Sequence, residues 1–188
     1  LDFVQTNQGM RAIGSNGQLQ VIESVESWGF KGKEKLGSNR GYIWSRTIPM
    51  VKDKWIFGYG PDTYVVNFPQ HDAIGKIIAN GTPRIIVDKP HNLYLQIAVS
   101  TGLPSLLVLA ALFIVYCILW FKHIRSTDSD DIRRWMSIGI FVAICGYLVA
   151  GLFNDSVVSV APIFWILWGL GIGLTSSSTQ LELVKKVK

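Results

Sequence analysis

Val87-Asp88-Lys89-Pro90-His91-Asn92-Leu93-Tyr94-Leu95-Gln96-Ile97 is the stretch on which the reading of this chain turns. It closes a long polar region and leads almost directly into the first strongly apolar span. Proline is favoured in the first turn of a helix, where its missing N–H would be unpaired anyway. The pattern therefore predicts a helix opening at Pro90, with His91 in its first turn. The positive end of the helix dipole disfavours imidazolium there, and a neutral histidine can accept a proton. The unpaired N–H groups of a helix start also suit an anion. The plainer reading is a His-Asn pair that caps an interfacial helix.

Beyond this stretch the chain turns apolar. Leu103 to Phe121, Met136 to Phe153 and Val157 to Leu174 each run 18 or 19 residues without a charge. At about 1.5 Å per residue, each is long enough for a hydrocarbon core of about 30 Å. Trp120, Trp135, Trp165 and Trp168 fall near span ends or in the last span, where interfacial anchoring favours them. The connector after the first span carries Lys122, Arg125, Arg133 and Arg134, and the tail carries Lys185, Lys186 and Lys188, whereas Asn154-Asp155-Ser156 has no base. Basic connectors face the cytoplasm, which puts the C-terminus inside and residues 1–100 outside.

The expected fold is mainly α and integral to the membrane. An extracytoplasmic region (1–100) of short helices with one small hairpin precedes three transmembrane helices (101–175) and a cytoplasmic tail (176–188). The chain lacks an initiator Met, a basic n-region and an h-region at its start. It reads as the C-terminal part of a larger multi-pass protein of the cell membrane, inactive by itself.

Within the outer region, Met10–Ile13 and Leu19–Ile22 flank Gly14-Ser15-Asn16-Gly17, a hairpin pattern. Residues 27–35 read as loop. A helix is expected from Ser38, which would cap it, through Ile43, Trp44, Thr47 and Val51, with Pro49 kinking or splitting it. Gly58-Tyr59-Gly60-Pro61-Asp62 is a sharp turn by composition. An extended piece at Tyr64 to Phe68, a short helix at His71 to Ala79 and a break at Gly81-Thr82-Pro83 complete the region.

Composition removes several function classes. The 188 residues are 49% hydrophobic with a net charge of +5. Residues 1–100 hold eleven Lys/Arg against eight Asp/Glu, a mild excess, and the rest of the positive charge lies in short segments beside the spans and reflects topology rather than nucleic-acid binding. Cys117 and Cys145 both sit in apolar spans, as small buried hydrophobes do. With no C-x-x-C, H-E-x-x-H or Walker loop, neither a metal nor a nucleotide cofactor is expected.

The outer-face residues suited to chemistry are Arg40, Arg46, Arg84, Lys89, His91, Asn92, Tyr94, Asp62 and, after the second span, Asp155. Guanidinium groups bind phosphate bidentately. Arginines with one neutral histidine beside a membrane fit transfer from a lipid-linked diphosphate, the cations stabilising the leaving group while His91 takes a hydroxyl proton. Each cation could equally be a solvated side chain. Tyr59 and Tyr94 could be interfacial anchors, and Asp155 reads as exposed in a tight turn.

Arg40-Gly41-Tyr42-Ile43-Trp44, Ile56-Phe57-Gly58-Tyr59-Gly60-Pro61-Asp62-Thr63, Pro90-His91-Asn92-Leu93-Tyr94-Leu95-Gln96 and Thr101-Gly102-Leu103, in this order, resemble the O-antigen ligase and polymerase family of bacterial membrane proteins. The resemblance spans about residues 36–175. It implies a metal-independent, inverting glycosyltransferase that moves a glycan from an undecaprenyl-diphosphate carrier to a glycan or glycolipid acceptor. It places Arg40 on the diphosphate and His91 as the base; Arg46, Trp44, Lys89, Asn92, Tyr94 and Arg84 are the substrate-binding candidates read from their own chemistry and position. A second family arginine, from an earlier outer loop, has no counterpart here, and no catalytic carboxylate carries over. Two rivals remain at this point: a transporter or flippase for the same lipid-linked glycan, which the near absence of polar residues in the spans disfavours, and a non-catalytic membrane scaffold.

Overall fold

The computed structural model describes residues 2–6, 9–13, 17–21 and 25–187. The chain is mainly helical and divides into two compact units. A polar unit holds Leu1–Pro90 and Leu95–Leu103; an apolar unit holds His91–Tyr94 and Pro104–Lys188.

The polar unit opens with an antiparallel sheet of β1 (Asp2–Thr6), β2 (Gly9–Ile13) and β3 (Leu19–Val21) in that order. β2 and β3 form the expected hairpin, Arg11 facing Val21 and Ile13 facing Leu19. Residues 14–16 of its turn lie outside the described residues. β1, which pairs Asp2 with Ile13, was not anticipated.

Helix α1 (Leu36–Asp53) departs from expectation at both marked positions. Ser38 does not cap it: Gly37, Ser38 and Asn39 carry φ values of 60°, 58° and 70°, a left-handed stretch from which the regular helix sets off at Arg40. Asn39 is held there by its side-chain amide, which donates to Asn80 Oδ1 at 2.6 Å. Pro49 does not break the helix, whose dihedrals stay helical from Arg40 onward. Proline removes the N–H that would reach the carbonyl four residues back. That carbonyl, Ser45 O, instead accepts the backbone N–H of Trp28 at 2.8 Å. The bond missing from the helix is thus remade by the preceding loop. The inner face of α1 buries Tyr42, Ile43, Thr47, Met50 and Val51.

Residues 64–67 are a single helical turn, α2 (Tyr64–Asn67), rather than an extended piece. The Val66 and Asn67 N–H groups both donate to Thr63 O, and the Tyr64 hydroxyl pairs with Thr47 Oγ1 at 2.7 Å beneath them. α3 (Ala73–Asn80) forms as expected: Asp72 caps it by accepting from Gly75 N, and Gly81 ends it at φ 75°. The Gly58–Asp62 turn needs its glycines. Gly58 has φ 66°, and a Cβ there would stand 2.5 Å from the Ser100 carbonyl carbon. The turn is tied to α4 by Tyr59 N–H to Val99 O and Gly60 N–H to Ser100 O, at 2.8 and 2.9 Å.

α4 is Leu93–Thr101, so the helix expected to open at Pro90 starts three residues later. His91 precedes it with φ 50°, a left-handed conformation that no α-helix accommodates. Its placement in the first turn, with the dipole argument attached, is therefore corrected.

In the apolar unit, α5 (Leu103–Ser126) and α6 (Ile132–Ala150) are long and apolar enough to cross a membrane. The third expected span, Val157 to Leu174, is not matched as drawn. Residues 151–160 form turns, and α7 (Ala161–Val187) contains a shorter apolar stretch, Ala161–Ser176. At about 1.5 Å per residue, starting at Ala161 takes roughly 6 Å from that span. Trp168 joins the unit's helices through rings of Phe113, Tyr116 and Phe164, with centroids 6.2, 6.3 and 5.2 Å away.

Candidate functional site

Within the apolar unit, four consecutive residues dock onto the end of α6 and the turn after it. The His91 Nδ1–H points to Asp155 Oδ2 at 3.0 Å. Asn92 Nδ2 donates to Leu152 O at 2.8 Å, Leu93 N to Gly151 O at 2.7 Å, and the Tyr94 hydroxyl to Leu148 O at 2.7 Å. Gly151 permits this approach: a Cβ there would lie 2.9 Å from both Cβ and Cδ2 of Leu93.

The His91 ring stays accessible while its partner does not. Its side chain is 41% exposed and that of Asp155 is 6% exposed. The sequence reading that left Asp155 exposed in a tight turn is corrected: residues 151–160 fold back so that its carboxylate faces the imidazole. Asp155 Oδ1 is buried with no hydrogen-bond partner among the described residues. A carboxylate on Nδ1 fixes the tautomer and leaves Nε2 as the basic nitrogen. The signal in the sequence was positional, since Asp155 lies in the turn that the charge pattern placed on the same side as His91. An apolar groove of about 430 Å³ is lined by Tyr94, Leu109, Phe113, Cys145, Leu148 and Leu152, so it begins at this segment.

The polar unit holds the remaining candidates. Arg40 donates from Nη1 to Gly37 O at 2.8 Å, and its Nε is buried without a partner among the described residues. It makes no ion pair among them. Trp44 Nε1 donates to Pro90 O at 2.8 Å, holding the carbonyl of the peptide bond that leads into His91, and its ring meets Phe30 edge-on at 5.8 Å. Arg84 and Lys89 are exposed cations, and neither forms an ion pair among the described residues.

Arg46 is placed differently. Its Nε lies 2.9 Å from Asp72 Oδ2, with the two side chains 14% and 5% exposed, and its guanidinium carbon sits 4.9 Å over the Tyr42 ring. Burial, and then the Asp72 charge, push the Tyr42 hydroxyl well above its ordinary pKa. Gly75 completes the cluster, because a Cβ there would collide with Asp72, Tyr42 and Arg46. This arginine is a structural tie between α1 and α3.

Sequence reasoning also missed Gln70. Its Nε2 donates to Val87 O at 2.6 Å, and its Oε1 accepts from Val87 N at 3.2 Å and from Lys76 Nζ at 3.0 Å. Gln70 acts as a short strand partner for the segment ahead of Pro90. Lys76, only 3% exposed, braces it with a second bond to Gln70 O at 2.8 Å, and burial lowers the lysine's pKa.

His91, Asn92 and Tyr94 thus share one backbone platform within the apolar unit; within the polar unit, Trp44 holds the Pro90 carbonyl and Arg40 Nε has no partner among the described residues. No curated protein and no solved structure matches the chain. A family model does: the one described as O-Antigen ligase matches residues 3–110, which include Arg40, Trp44 and the Pro90-His91-Asn92 segment. By that match, and with helices able to cross a bilayer, this is a membrane protein of polysaccharide biosynthesis that belongs to the O-antigen ligase family.

Proposed function

We propose that the chain carries the reacting groups of an inverting, metal-independent glycan ligase or polymerase. It would transfer a sugar chain from an undecaprenyl-diphosphate carrier to an acceptor hydroxyl at the outer face of the cytoplasmic membrane. The observation that carries this reading is the half-exposed His91 backed by the buried carboxylate of Asp155. The acceptor O–H gives its proton to His91 Nε2 as its oxygen attacks the anomeric carbon. The bond to the carrier diphosphate breaks on the opposite face, and its electron pair stays on the diphosphate. Asp155 stabilises the imidazolium that forms. Arg40 supplies bidentate donors to the departing oxygens, and Arg84 and Lys89 add positive potential for an anionic donor. The apolar groove below Tyr94 suits the carrier's isoprenoid tail.

The test is glycan transfer in membranes by the full-length protein with a lipid-diphosphate-linked donor, comparing wild type with His91→Ala and Arg40→Ala at matched expression. The expected loss for His91→Ala is roughly 10²- to 10⁴-fold, the usual worth of a general base. Wild-type rates in both variants would overturn the reading.

A further inference from the structure

Trp55, Ile56 and Phe57 follow α1 as three consecutive apolar residues that are 54%, 43% and 84% exposed. Such a run is costly to leave in water. The same loop is anchored at a defined level. Trp55 O accepts the backbone N–H of Leu103 at 2.8 Å, and Leu103 opens α5, a 24-residue apolar helix long enough to span a bilayer. Gly102 allows the contact, since a Cβ there would collide with the Ile56 carbonyl. The loop is therefore held beside Leu103, the residue that opens α5. Lys52 and Lys54, both exposed, immediately precede the run, with the exposed Asp53 between them. Tryptophan and phenylalanine beside lysines are the side chains that favour the headgroup–acyl boundary.

We propose that Trp55, Ile56 and Phe57 form a membrane-docking edge of the polar unit, inserted into the lipid leaflet next to the start of α5, with Lys52 and Lys54 at the phospholipid phosphates. The inference rests on α5 crossing the bilayer and not on the transfer chemistry. The loop continues directly into the Gly58–Asp62 turn, so the edge would also fix how high that turn stands above the lipid.

The test uses the full-length protein, with Cys117 and Cys145 replaced by Ala, carrying Phe57→Cys labelled with bimane in vesicles of phosphatidylcholine and phosphatidylglycerol. Phe57 is mostly exposed, so this variant keeps the fold. A parallel Ile56→Cys label checks the neighbouring position. Quenching by a phospholipid bearing a shallow doxyl group should exceed quenching by aqueous iodide several-fold at both sites. Stronger quenching by iodide overturns the proposal by placing the edge in water. Protection from both quenchers also overturns it, because the edge is then covered by protein.

Discussion

Replacing Asp155 by Asn tests the charge behind His91 with the least steric change. The wild-type pair is a 3.0 Å contact between a carboxylate that is 6% exposed and an imidazole that is 41% exposed, so solvent screens it only in part. A hydrogen bond to a charged group contributes about 1.5–3 kcal/mol, and here it strengthens as His91 becomes imidazolium. Each 1.36 kcal/mol is about tenfold in rate, so Asp155→Asn should slow transfer roughly 10- to 150-fold. The loss belongs in kcat, with KM for the lipid-linked donor nearly unchanged, because Asp155 meets the imidazole and not the diphosphate. Asn can also present an N–H to Nδ1 and favour the wrong tautomer, which moves the effect toward the upper end. The assay is steady-state transfer with a lipid-diphosphate donor, run beside His91→Ala and the double variant. Two groups acting as one unit give a double variant little worse than His91→Ala alone. An Asp155→Asn enzyme within twofold of wild type, or one additive with His91→Ala, would refute the role.

Gly151→Ala pushes a methyl against Leu93 at 2.9 Å, an overpacking that costs about 1–3 kcal/mol. It should lower the thermal midpoint in detergent and impair transfer together, and an unchanged midpoint would show that the contact relaxes freely. Lys76 gives a pH prediction. Burial sets its folded pKa below the ordinary 10.5, so the unfolded chain binds more protons between the two values and stability rises with pH across that window. The benefit is present above 10.5 and lost as pH falls through the lowered value. Wild type should therefore gain on Lys76→Met as alkaline unfolding midpoints are compared, and a difference independent of pH would refute the assignment.

Much of the fold was legible because it depends on local chemistry. The 73–80 helix has a capping Asp72 and a terminating Gly81, the 58–62 turn has its glycines, and β2 and β3 alternate around a glycine-rich loop. What the sequence concealed depends on partners remote along the chain. Pro49 looked like a break because the partner of Ser45 O is Trp28, outside the helix. Ser38 looked like a cap because nothing local signals that Asn39 is held by Asn80. His91 looked helical because Pro90 favours a helix start, whereas its position is set by residues 151–155. The apolar run at 157–174 could not show where its helix begins, since turn residues there are as hydrophobic as helical ones. The candidate site was legible at Arg40, Trp44 and His91 as residue types. Asp155 was legible there as well, but only as an exposed turn residue, because nothing local signals its contact with a histidine 64 positions away in sequence, from 91 to 155.

The docking of residues 91–94 onto α6 and its turn has a mechanical consequence. The bonds described for residues 91–94 within their unit run to the segment from Leu148 to Asp155, so His91 travels with the C-terminal end of α6 as a passenger. Helices adjust their tilt to the hydrocarbon thickness around them. If α6 spans the bilayer and His91 is the proposed base, a thicker or thinner bilayer would raise or lower its ring against the headgroup plane, making lipid chain length a control on the height at which the proton is taken.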